Sequence, residues 1–323
     1  MAIALNRAQE QKDLKNKKRY DEGYRLVGNH SAVKICDYCK KAITGKDVCY
    51  KNTFYGIESW RCIQMSPTFF CDHRCIFCWR DIDYVWPKWQ GPVDDPEFIV
   101  DECIKAHVEL LQGFKGNPNV VKERLKEMEK PLHFAISLTG EPTMYPKLPE
   151  MVDYIKEKRM TSFLVTNGTI PNMIKKLVNH QPTQLYISVY GPNKEVYQKT
   201  ANPINKDGWK RLQKSLSIMN KFNRNVIRLT LVKGYNFLDP EGYAKLIEKY
   251  QPMFVEAKGY VHVGHSQERL EVENMPRYHE IMEFAKKIEK NSNYKVVDSK
   301  KESKVVLLVK EDFEDRKMNF EGL

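Results

Sequence analysis

Six short apolar runs alternate with helical stretches over most of the chain, and this alternation constrains the fold more than any other feature. The runs predict strands at Arg61–Met65, His133–Leu138, Ser162–Thr166, Gln184–Val189, Val226–Val232 and Met253–Val263. Helices are predicted at Pro96–Gln112, Lys147–Lys158, Asn172–Val178, Gly208–Phe222, Pro240–Tyr250 and Pro276–Lys290. A repeated strand-then-helix order is typical of a parallel sheet covered on both faces. The sequence therefore predicts an α/β fold, a partial (β/α)6 barrel of the TIM-like type.

The segments outside these six units have a different character. Residues 1 to about 25 are rich in Lys, Gln and Asn and predict a surface helix, and Val120–Lys130 adds a helix to the first crossover. Tyr294–Asp298 and Lys304–Val309 predict a hairpin. We expect a basic extension over residues 1–60, the barrel over residues 61–266, and a C-terminal helix and hairpin over residues 267–323.

Composition excludes several classes of protein. With 323 residues, 41% of them apolar, the chain can bury a core large enough to fold. Its longest aliphatic run, Val305–Val309, is far shorter than the roughly 20 residues of a membrane-spanning helix. The N-terminus lacks the apolar stretch and cleavage site of a secretory signal. We therefore expect a cytoplasmic protein with no membrane partner.

The chain is basic, and the excess charge is unevenly placed. Lys and Arg outnumber Asp and Glu by 53 to 42, which gives a formal net charge of +11. Residues 1–52 hold 12 basic and 6 acidic side chains. A second basic stretch contains only Asp207 as an acidic residue and has the cations Lys206, Lys210, Arg211, Lys214, Lys221, Arg224, Arg228 and Lys233. Both regions could face a polyanion, although solvated helix faces would give the same composition.

Seven of the eight cysteines fall within residues 36–78. Structural disulfides are rare in the cytosol, so this density indicates metal or redox chemistry. Cys71, Cys75 and Cys78 form a C-x3-C-x2-C motif after the first predicted strand. Three thiolates can bind three irons of a [4Fe-4S] cluster and leave the fourth iron open for a non-protein ligand. The alternative is a tetrahedral zinc site with His73 as the fourth ligand.

This motif resembles that of the radical S-adenosylmethionine (SAM) superfamily, in which it follows the first strand of a partial barrel. The resemblance implies that the three cysteines hold a [4Fe-4S] cluster whose open iron binds SAM. The superfamily receives the SAM amino group at a turn after the second strand, which is matched by Thr139, Gly140, Glu141 and Pro142. Further SAM contacts are implied for residues at later strand ends, Thr166, Asn167 and Ser188, although ordinary turn and strand-end residues would look the same.

A second set of cysteines narrows the resemblance. Cys36, Cys49 and Cys62 are spaced by 13 and 13 residues, which matches no common zinc finger. The pattern is similar to that of tRNA 4-demethylwyosine synthases, and so are three other stretches, Arg61–Met65, Cys75–Arg80 and Lys258–Gly264. The resemblance implies a second [4Fe-4S] cluster that faces the first. It departs at Cys39, which forms an additional Cys-x2-Cys with Cys36, and a zinc ribbon on these two is the alternative.

Lys51 is the reactive residue that the resemblance implies. The family builds a new imidazole ring with two carbons of pyruvate, and its reactive lysine lies two residues after the middle cysteine of the N-terminal triplet, the position of Lys51. A lysine amine condenses with a ketone only when it is deprotonated, and burial near other cations lowers its pKa toward that state. Without the resemblance, a lysine in so basic a segment would be interpreted as a surface charge.

The resemblance therefore implies a radical SAM lyase of wyosine biosynthesis. Its substrate would be 1-methylguanosine at position 37 of phenylalanine tRNA, splayed from the anticodon loop and joined with pyruvate into the tricyclic base 4-demethylwyosine. We expect the single-domain form found in archaea, a monomer with an external flavodoxin-like or ferredoxin-like electron donor. Three tryptophans near the cluster loop are candidates for tRNA contact or for the core, Trp79, Trp86 and Trp89.

Two other functions are consistent with part of the sequence. A radical SAM enzyme that activates a partner protein would keep the C-x3-C-x2-C motif but would not need the second triplet or Lys51. A zinc-stabilised RNA-binding module without catalysis would need neither the Gly-Glu-Pro turn nor a barrel of six units.

Overall fold

The six predicted strands are present and form the centre of one ten-stranded sheet. The computed structural model describes Arg19, residues 22–82 and residues 85–320. The strands are β1 (Arg25–Val27), β2 (Ser31–Val33), β3 (Cys62–Ser66), β4 (His133–Ile136), β5 (Thr161–Thr166), β6 (Gln184–Val189), β7 (Asn225–Leu231), β8 (Phe254–Gly259), β9 (Lys295–Lys300) and β10 (Val305–Val309). Their order in the sheet is β1-β2-β3-β4-β5-β6-β7-β8-β10-β9.

The helices lie mostly in the connections between these strands. They are α1 (Asp37–Ile43), α2 (Tyr50–Tyr55), α3 (Pro96–Leu111), α4 (Lys122–Glu127), α5 (Leu148–Glu157), α6 (Pro171–Leu177), α7 (Lys194–Ala201), α8 (Gly208–Leu216), α9 (Pro240–Tyr250) and α10 (Tyr278–Lys290). Both α1 and α2 precede the first parallel strand.

Strands β3 to β8 pair in parallel in chain order, which confirms the predicted α/β fold. Because the strands are parallel, their carboxyl ends meet at one edge of the sheet, where a barrel of this kind carries its active-site loops. Side chains on one face of the strands, such as Ile63, Phe134 and Leu185, belong to the large core that the outer helices complete. The other face packs Phe163 and Tyr186 against Phe54 of α2. The short helix α2 thus fills the concave side of the sheet.

Several predicted boundaries differ from the structure. The second predicted strand stops at Ile136, because the amides of Ser137 and Leu138 both donate to the Met65 carbonyl and the chain turns. The helix predicted to reach Phe222 ends at Leu216 and is followed by a 3-10 turn. Helix α7 was missed, although the Asn193 side chain accepts a hydrogen bond from the Val196 amide, as an N-cap residue does.

Both edges of the sheet are antiparallel. The hairpin β1–β2, which was not predicted, pairs with β3. The hairpin β9–β10, which was predicted, pairs with β8. The surface helix predicted for residues 1 to about 25 falls almost entirely outside the described residues.

The chain beyond β10 returns to α2. The Arg316 Nη1 atom donates to the Phe54 carbonyl at 2.9 Å, and the Met318 amide donates to the Tyr55 carbonyl at 3.0 Å. Helix α2 ends at Tyr55 and is capped by Gly56, whose φ is 81° and where a Cβ atom would meet the Met318 carbonyl oxygen. Only glycine tolerates this close approach with a positive φ. The last described residues therefore hold α2 in place.

Candidate active site

The loop that carries the C-x3-C-x2-C motif follows β3 and is fixed by hydrogen bonds to the end of α7. The amide of Arg74 donates to the Asn202 carbonyl at 3.0 Å, and the amide of Ile76 donates to the Thr200 carbonyl at 3.1 Å. The loop thus takes its shape from a distant helix, which sequence pattern could not reveal.

The three thiols of this loop have limited contact with solvent. Cys71 and Cys75 are buried and Cys78 is partly buried. Burial raises the pKa of Cys71 to about 12, while the nearby guanidinium of Arg80 acts in the opposite direction. Burial also raises the pKa of Cys75. These two thiols are protonated at neutral pH, so metal binding there would release protons.

His73, the alternative zinc ligand, uses both ring nitrogens in hydrogen bonds. Its Nδ1 atom lies 2.8 Å from Asp72 Oδ1, and its Nε2 atom lies 2.7 Å from the Tyr197 hydroxyl. Burial raises the pKa of Asp72, but the charge of His73 and hydrogen bonds, including one from Thr169, outweigh it and lower the pKa to about 2. Three potential ligand atoms lie within 4.8 Å of one another, one each from Cys71, Asp72 and His73. Because the ring is engaged, this group supports the loop rather than completing a zinc site.

The Gly-Glu-Pro turn packs directly against the start of the cysteine loop. The Glu141 amide donates to the Phe70 carbonyl at 2.7 Å. Gly140 has a φ of 66°, and a Cβ atom there would overlap the Thr68 carbonyl oxygen. Glycine is therefore required for both its backbone conformation and its size. Pro142 begins a 3-10 turn that carries the chain away from the site.

The Glu141 carboxylate joins this turn to the end of β5. Its Oε1 atom accepts from the Thr143 amide at 3.0 Å and from the Thr166 hydroxyl at 2.5 Å, and its Oε2 atom accepts from the Asn167 amide at 2.7 Å. Burial raises the pKa of Glu141, although these hydrogen bonds favour the carboxylate. The Asn167 side chain donates to Asp72 at 2.7 Å. Thr166 and Asn167 thus link the end of β5 to the Gly-Glu-Pro turn and to the cysteine loop, and they also face the site.

These residues surround a cavity of about 150 Å³, which we call the first cavity. It is lined by Cys71, Cys75, Cys78, Thr139, Gly140, Glu141, Thr166, Asn167, Ser188 and Tyr190, among others. The structure therefore brings together every predicted residue of the SAM site except Pro142. No fourth cysteine is among the described residues that line this cavity. A set of three thiols fits a [4Fe-4S] cluster with one iron open.

Cys36, Cys49 and Cys62 line a separate cavity of about 290 Å³, the second cavity. Cys36 directly precedes α1, Cys49 directly precedes α2, and Cys62 begins β3. The three cysteines, which are 13 residues apart in sequence, therefore lie at the starts of three different elements that meet at one cavity. Cys39 also lines the cavity, but it is 2% exposed and packs in a small core with Ile43.

Lys51 is buried in the wall of the second cavity, 7% exposed. Its Nζ atom lies 4.7 Å from the centre of the Tyr186 ring and 5.5 Å from that of Phe163. Burial lowers the pKa of Lys51; Cys49 raises it and Arg228 lowers it. An amine in these surroundings is closer to its neutral, nucleophilic form than a surface lysine is.

Arg228 and Lys258 also line the second cavity, and sequence reasoning did not assign them to the site. Arg228 was counted with the second basic stretch, but it projects from β7 into the cavity rather than toward a polyanion outside. Burial and the charge of Arg228 lower the pKa of Lys258 to about 8. The available signal was that Arg228 is the single charged residue of the strand Asn225–Leu231.

The two cavities share a wall. Trp79 and Ser137 line both of them. Trp79 stacks on Tyr24 with a ring distance of 6.2 Å and an interplanar angle of 2°. Trp89 packs against the core, and only Trp86 of the three tryptophans is strongly exposed. Of the predicted tRNA-contacting tryptophans, Trp86 is therefore the best placed.

The comparisons with known proteins agree with this geometry. Residues 65–247 match the Radical SAM superfamily model, and residues 249–310 match the model described as wyosine base formation. A tRNA 4-demethylwyosine synthase of Pyrococcus abyssi is 45% identical over 305 residues, which are 93% of this chain and 89% of the relative. The chain belongs to the tRNA 4-demethylwyosine synthase family. Because this is a family of radical SAM enzymes, the cofactors of the chain include SAM and a [4Fe-4S] cluster.

Two solved structures are similar to nearly the whole chain. A structure of TYW1 with a lysine-pyruvate adduct bound has a TM-score of 0.84 and 35% identity, and the match covers 96% of this chain and 98% of that one. A crystal structure of archaeal TYW1 has a TM-score of 0.77 and 31% identity, with 96% and 99% covered. Within the part that the structure describes, no helix is long and apolar enough to cross a membrane. A zinc-stabilised RNA-binding module would not give these matches.

Proposed function

We propose that the protein is a lyase that joins two carbons of pyruvate to 1-methylguanosine at position 37 of phenylalanine tRNA, releases the pyruvate carboxylate carbon and forms 4-demethylwyosine. The observation that carries the proposal is the contact between the two cavities, one lined by the C-x3-C-x2-C motif and the other by Lys51 and the second triplet. The Pyrococcus abyssi relative is named as an SAM-dependent tRNA 4-demethylwyosine synthase. The solved structure of TYW1 that matches 96% of this chain has a lysine-pyruvate adduct bound.

In the first cavity, Cys71, Cys75 and Cys78 would hold the cluster. When bound, the cluster and SAM supply a 5′-deoxyadenosyl radical, which removes hydrogen from the methyl group of the nucleotide. The turn from Thr139 to Pro142 and the strand-end residues Thr166, Asn167 and Ser188 would position SAM. Gly140 lets the turn pack against the Thr68 carbonyl, and Glu141 keeps the turn and the end of β5 at a fixed separation.

In the second cavity, Lys51 would bind pyruvate as an imine. The neutral amine attacks the ketone carbon, a C–N bond forms, and the ketone oxygen leaves as water. Burial favours this neutral amine and also protects the imine from hydrolysis. The rings of Tyr186 and Phe163 contact the lysine and restrict its position.

Cys36, Cys49 and Cys62 would hold a second [4Fe-4S] cluster in the same cavity. All three thiols face one space, and burial raises the pKa of Cys49 to about 11 and that of Cys62 to about 12. A bound metal would stabilise the thiolate forms of these cysteines. Cys39 is the fourth thiol in this wall.

The remaining partners follow from charge and chemistry. A net charge of +11 suits a polyanionic tRNA, and the affinity for tRNA should fall steeply with salt because bound counterions are released. The exposed face of Trp86 offers a stacking surface for a splayed base. The electron that begins the reaction would come from a separate flavodoxin-like or ferredoxin-like protein.

The proposal is tested with anaerobically reconstituted protein, transcribed tRNA that carries 1-methylguanosine, SAM and labelled pyruvate. We expect about eight irons per chain, 5′-deoxyadenosine, and label in the tRNA. Borohydride should trap labelled pyruvate on the peptide that contains Lys51. The Lys51→Ala variant should lose this adduct, while Lys46→Ala, which removes an exposed lysine nearby, should keep it. An adduct on Lys258 instead would contradict the role given to Lys51.

A further inference from the structure

Three cations converge on the second cavity from three different elements. Lys51 comes from α2, Arg228 from β7 and Lys258 from β8. No Asp or Glu is among the described residues that line this cavity. In the register of the sheet, Arg228 lies opposite Ser188 on one side, a residue of the first cavity, and opposite Glu256 on the other. Arg228 therefore lies near the boundary between the two cavities.

The guanidinium group of Arg228 has no hydrogen-bond partner in the part of the protein that the structure describes. Its Nε atom is buried, and across the described ranges the side chain makes no hydrogen bond and no ion pair with a carboxylate within 4.0 Å. The neighbouring carboxylate of Glu256 accepts from the Tyr55 hydroxyl at 2.8 Å through one oxygen, and its other oxygen is also unpartnered. A buried N–H donor without a hydrogen bond is costly, because it loses water and gains no partner. Such a group is suited to an anionic ligand.

Lys258 differs from Arg228 in being partly engaged. Its Nζ atom donates to the Ser303 carbonyl at 2.7 Å and lies 5.3 Å from the centre of the Tyr50 ring. A carbonyl and a ring orient the ammonium group but do not neutralise its charge. Lys258 therefore adds positive charge to the cavity, whereas Arg228 keeps free donors in a planar arrangement that matches a carboxylate.

We propose that Arg228, assisted by the charge of Lys258, binds the carboxylate of the α-keto acid whose ketone carbon Lys51 attacks. This inference rests on the proposed function and extends it to the choice of co-substrate. Recognition at two points, an amine for the ketone and a guanidinium for the carboxylate, selects a 2-oxo acid over a neutral ketone. Arg228 takes no part in bond making; it holds the acid so that the ketone carbon faces Lys51.

Borohydride trapping tests the inference without tRNA turnover. Reconstituted protein is incubated with labelled pyruvate over a range of concentrations, reduced, and the adduct on the Lys51 peptide is measured by mass spectrometry. Labelled acetone, which has the ketone but no carboxylate, is used in parallel. For Arg228→Gln, half-maximal labelling by pyruvate should need about 10- to 100-fold more pyruvate, as expected when charge-assisted hydrogen bonds are lost. Labelling by acetone should change little. Lys258→Gln should give the same pattern with a smaller shift.

The matched control is Arg224→Gln. Arg224 is a half-buried arginine four residues before Arg228, but it donates to the carbonyls of Asp315 and Arg316 and lies outside the second cavity. Its loss should leave the preference for pyruvate over acetone unchanged. Iron content is measured for each variant, and proteins are compared at equal iron.

The outcomes separate this inference from the proposed function. Equal pyruvate dependence in Arg228→Gln and the unaltered protein would overturn the inference alone. Parallel loss of labelling by pyruvate and acetone would also overturn it, because Arg228 would then act on the fold or on Lys51. Restoration of most of the pyruvate preference in Arg228→Lys would support a role for positive charge. Absence of any Lys51 adduct in the unaltered protein would overturn the proposed role of Lys51, and this inference with it.

Discussion

The first and second cavities are neighbours, yet their polar groups are arranged in opposite ways. Around the first cavity, the carboxylates of Glu141 and Asp72 and the Asn167 amide are hydrogen-bonded to one another or to threonines. Around the second cavity, the Tyr50 hydroxyl, Arg228 Nε and Glu256 Oε2 are buried without a partner in the described chain. The protein completes the first polar network by itself. The second arrangement needs groups that a substrate or a cluster would bring.

This difference in hydrogen bonding between the two cavities has a functional interpretation. A cofactor site benefits from a rigid frame that is built before the cofactor arrives, because little reorganisation is then needed at the reacting atoms. A site for a small co-substrate gains selectivity when its charged groups find partners only in the correct ligand. Under the proposed function, the first cavity positions the cofactor and the second selects the co-substrate.

The largest expected effect comes from exchanging the cysteines of one cavity while keeping those of the other. Cys71→Ala should remove about half of the iron and reduce 5′-deoxyadenosine formation to background. Cys36→Ala should also remove about half of the iron, but it should retain 5′-deoxyadenosine formation and lose the modified tRNA. Iron analysis and chromatography of the nucleosides measure both. Loss of 5′-deoxyadenosine in both variants would mean that the two cavities do not work separately.

A smaller effect is expected from deleting one hydroxyl in each cavity. Thr166→Val removes a donor to Glu141 and an acceptor of the Gly168 amide, and it should lower the free energy of unfolding by about 2 kcal/mol. Tyr50→Phe removes a buried hydroxyl that has no partner, so it should change the free energy of unfolding by less than about 0.5 kcal/mol. Urea denaturation of the two variants at pH 7.5 compares them. Equal destabilisation would remove the contrast between the cavities.

His107 is another place where buried polar atoms lack hydrogen-bond partners within the described chain, and it lies away from both cavities. Its protonation therefore shows how such atoms behave where no ligand site is proposed. It is buried in α3, outside both cavities, neither ring nitrogen has a hydrogen bond to the described chain, and burial lowers its pKa to about 4. Because the unfolded chain binds a proton near pH 6.5 and the folded chain does not, stability is full above that pH and is lost as the pH falls toward 4.

For this histidine we expect the unaltered protein to lose about 1.3 kcal/mol more than His107→Leu when the pH falls from 7.5 to 5.5. The comparison is made by urea denaturation at both pH values, so that any change in packing cancels. The same pH dependence in both proteins would show that His107 is not buried in its neutral form.

The sequence predicted the parts of this molecule that depend on local pattern. The six strands follow from apolar runs, and the first triplet follows from three cysteines within eight residues, Cys71 to Cys78. The short helix α2 has only six residues, too few to show a helical period. Its place on the concave side of the sheet depends on tertiary packing.

The same limit explains why Arg228 was grouped with surface charges. Sequence spacing places it near Arg224 and Lys233, but the register of β7 turns its side chain toward Ser188 and Glu256. Which cations of a basic protein face inward is decided by strand pairing and by the elements that cover the sheet. Lys258 was noted within a matching stretch, yet its place in the same cavity as Lys51 appears only when β8 and α2 are brought together.

The contact between α2 and the chain beyond β10 has a consequence for biosynthesis. Phe54 and Arg316, whose hydrogen bond secures the helix that bears Lys51, are 262 residues apart. A ribosome extends the chain from the N-terminus, so α2 emerges long before its partner has been translated. Lys51 therefore reaches its final surroundings only after Arg316 has been translated, about 260 residues after its own addition to the chain.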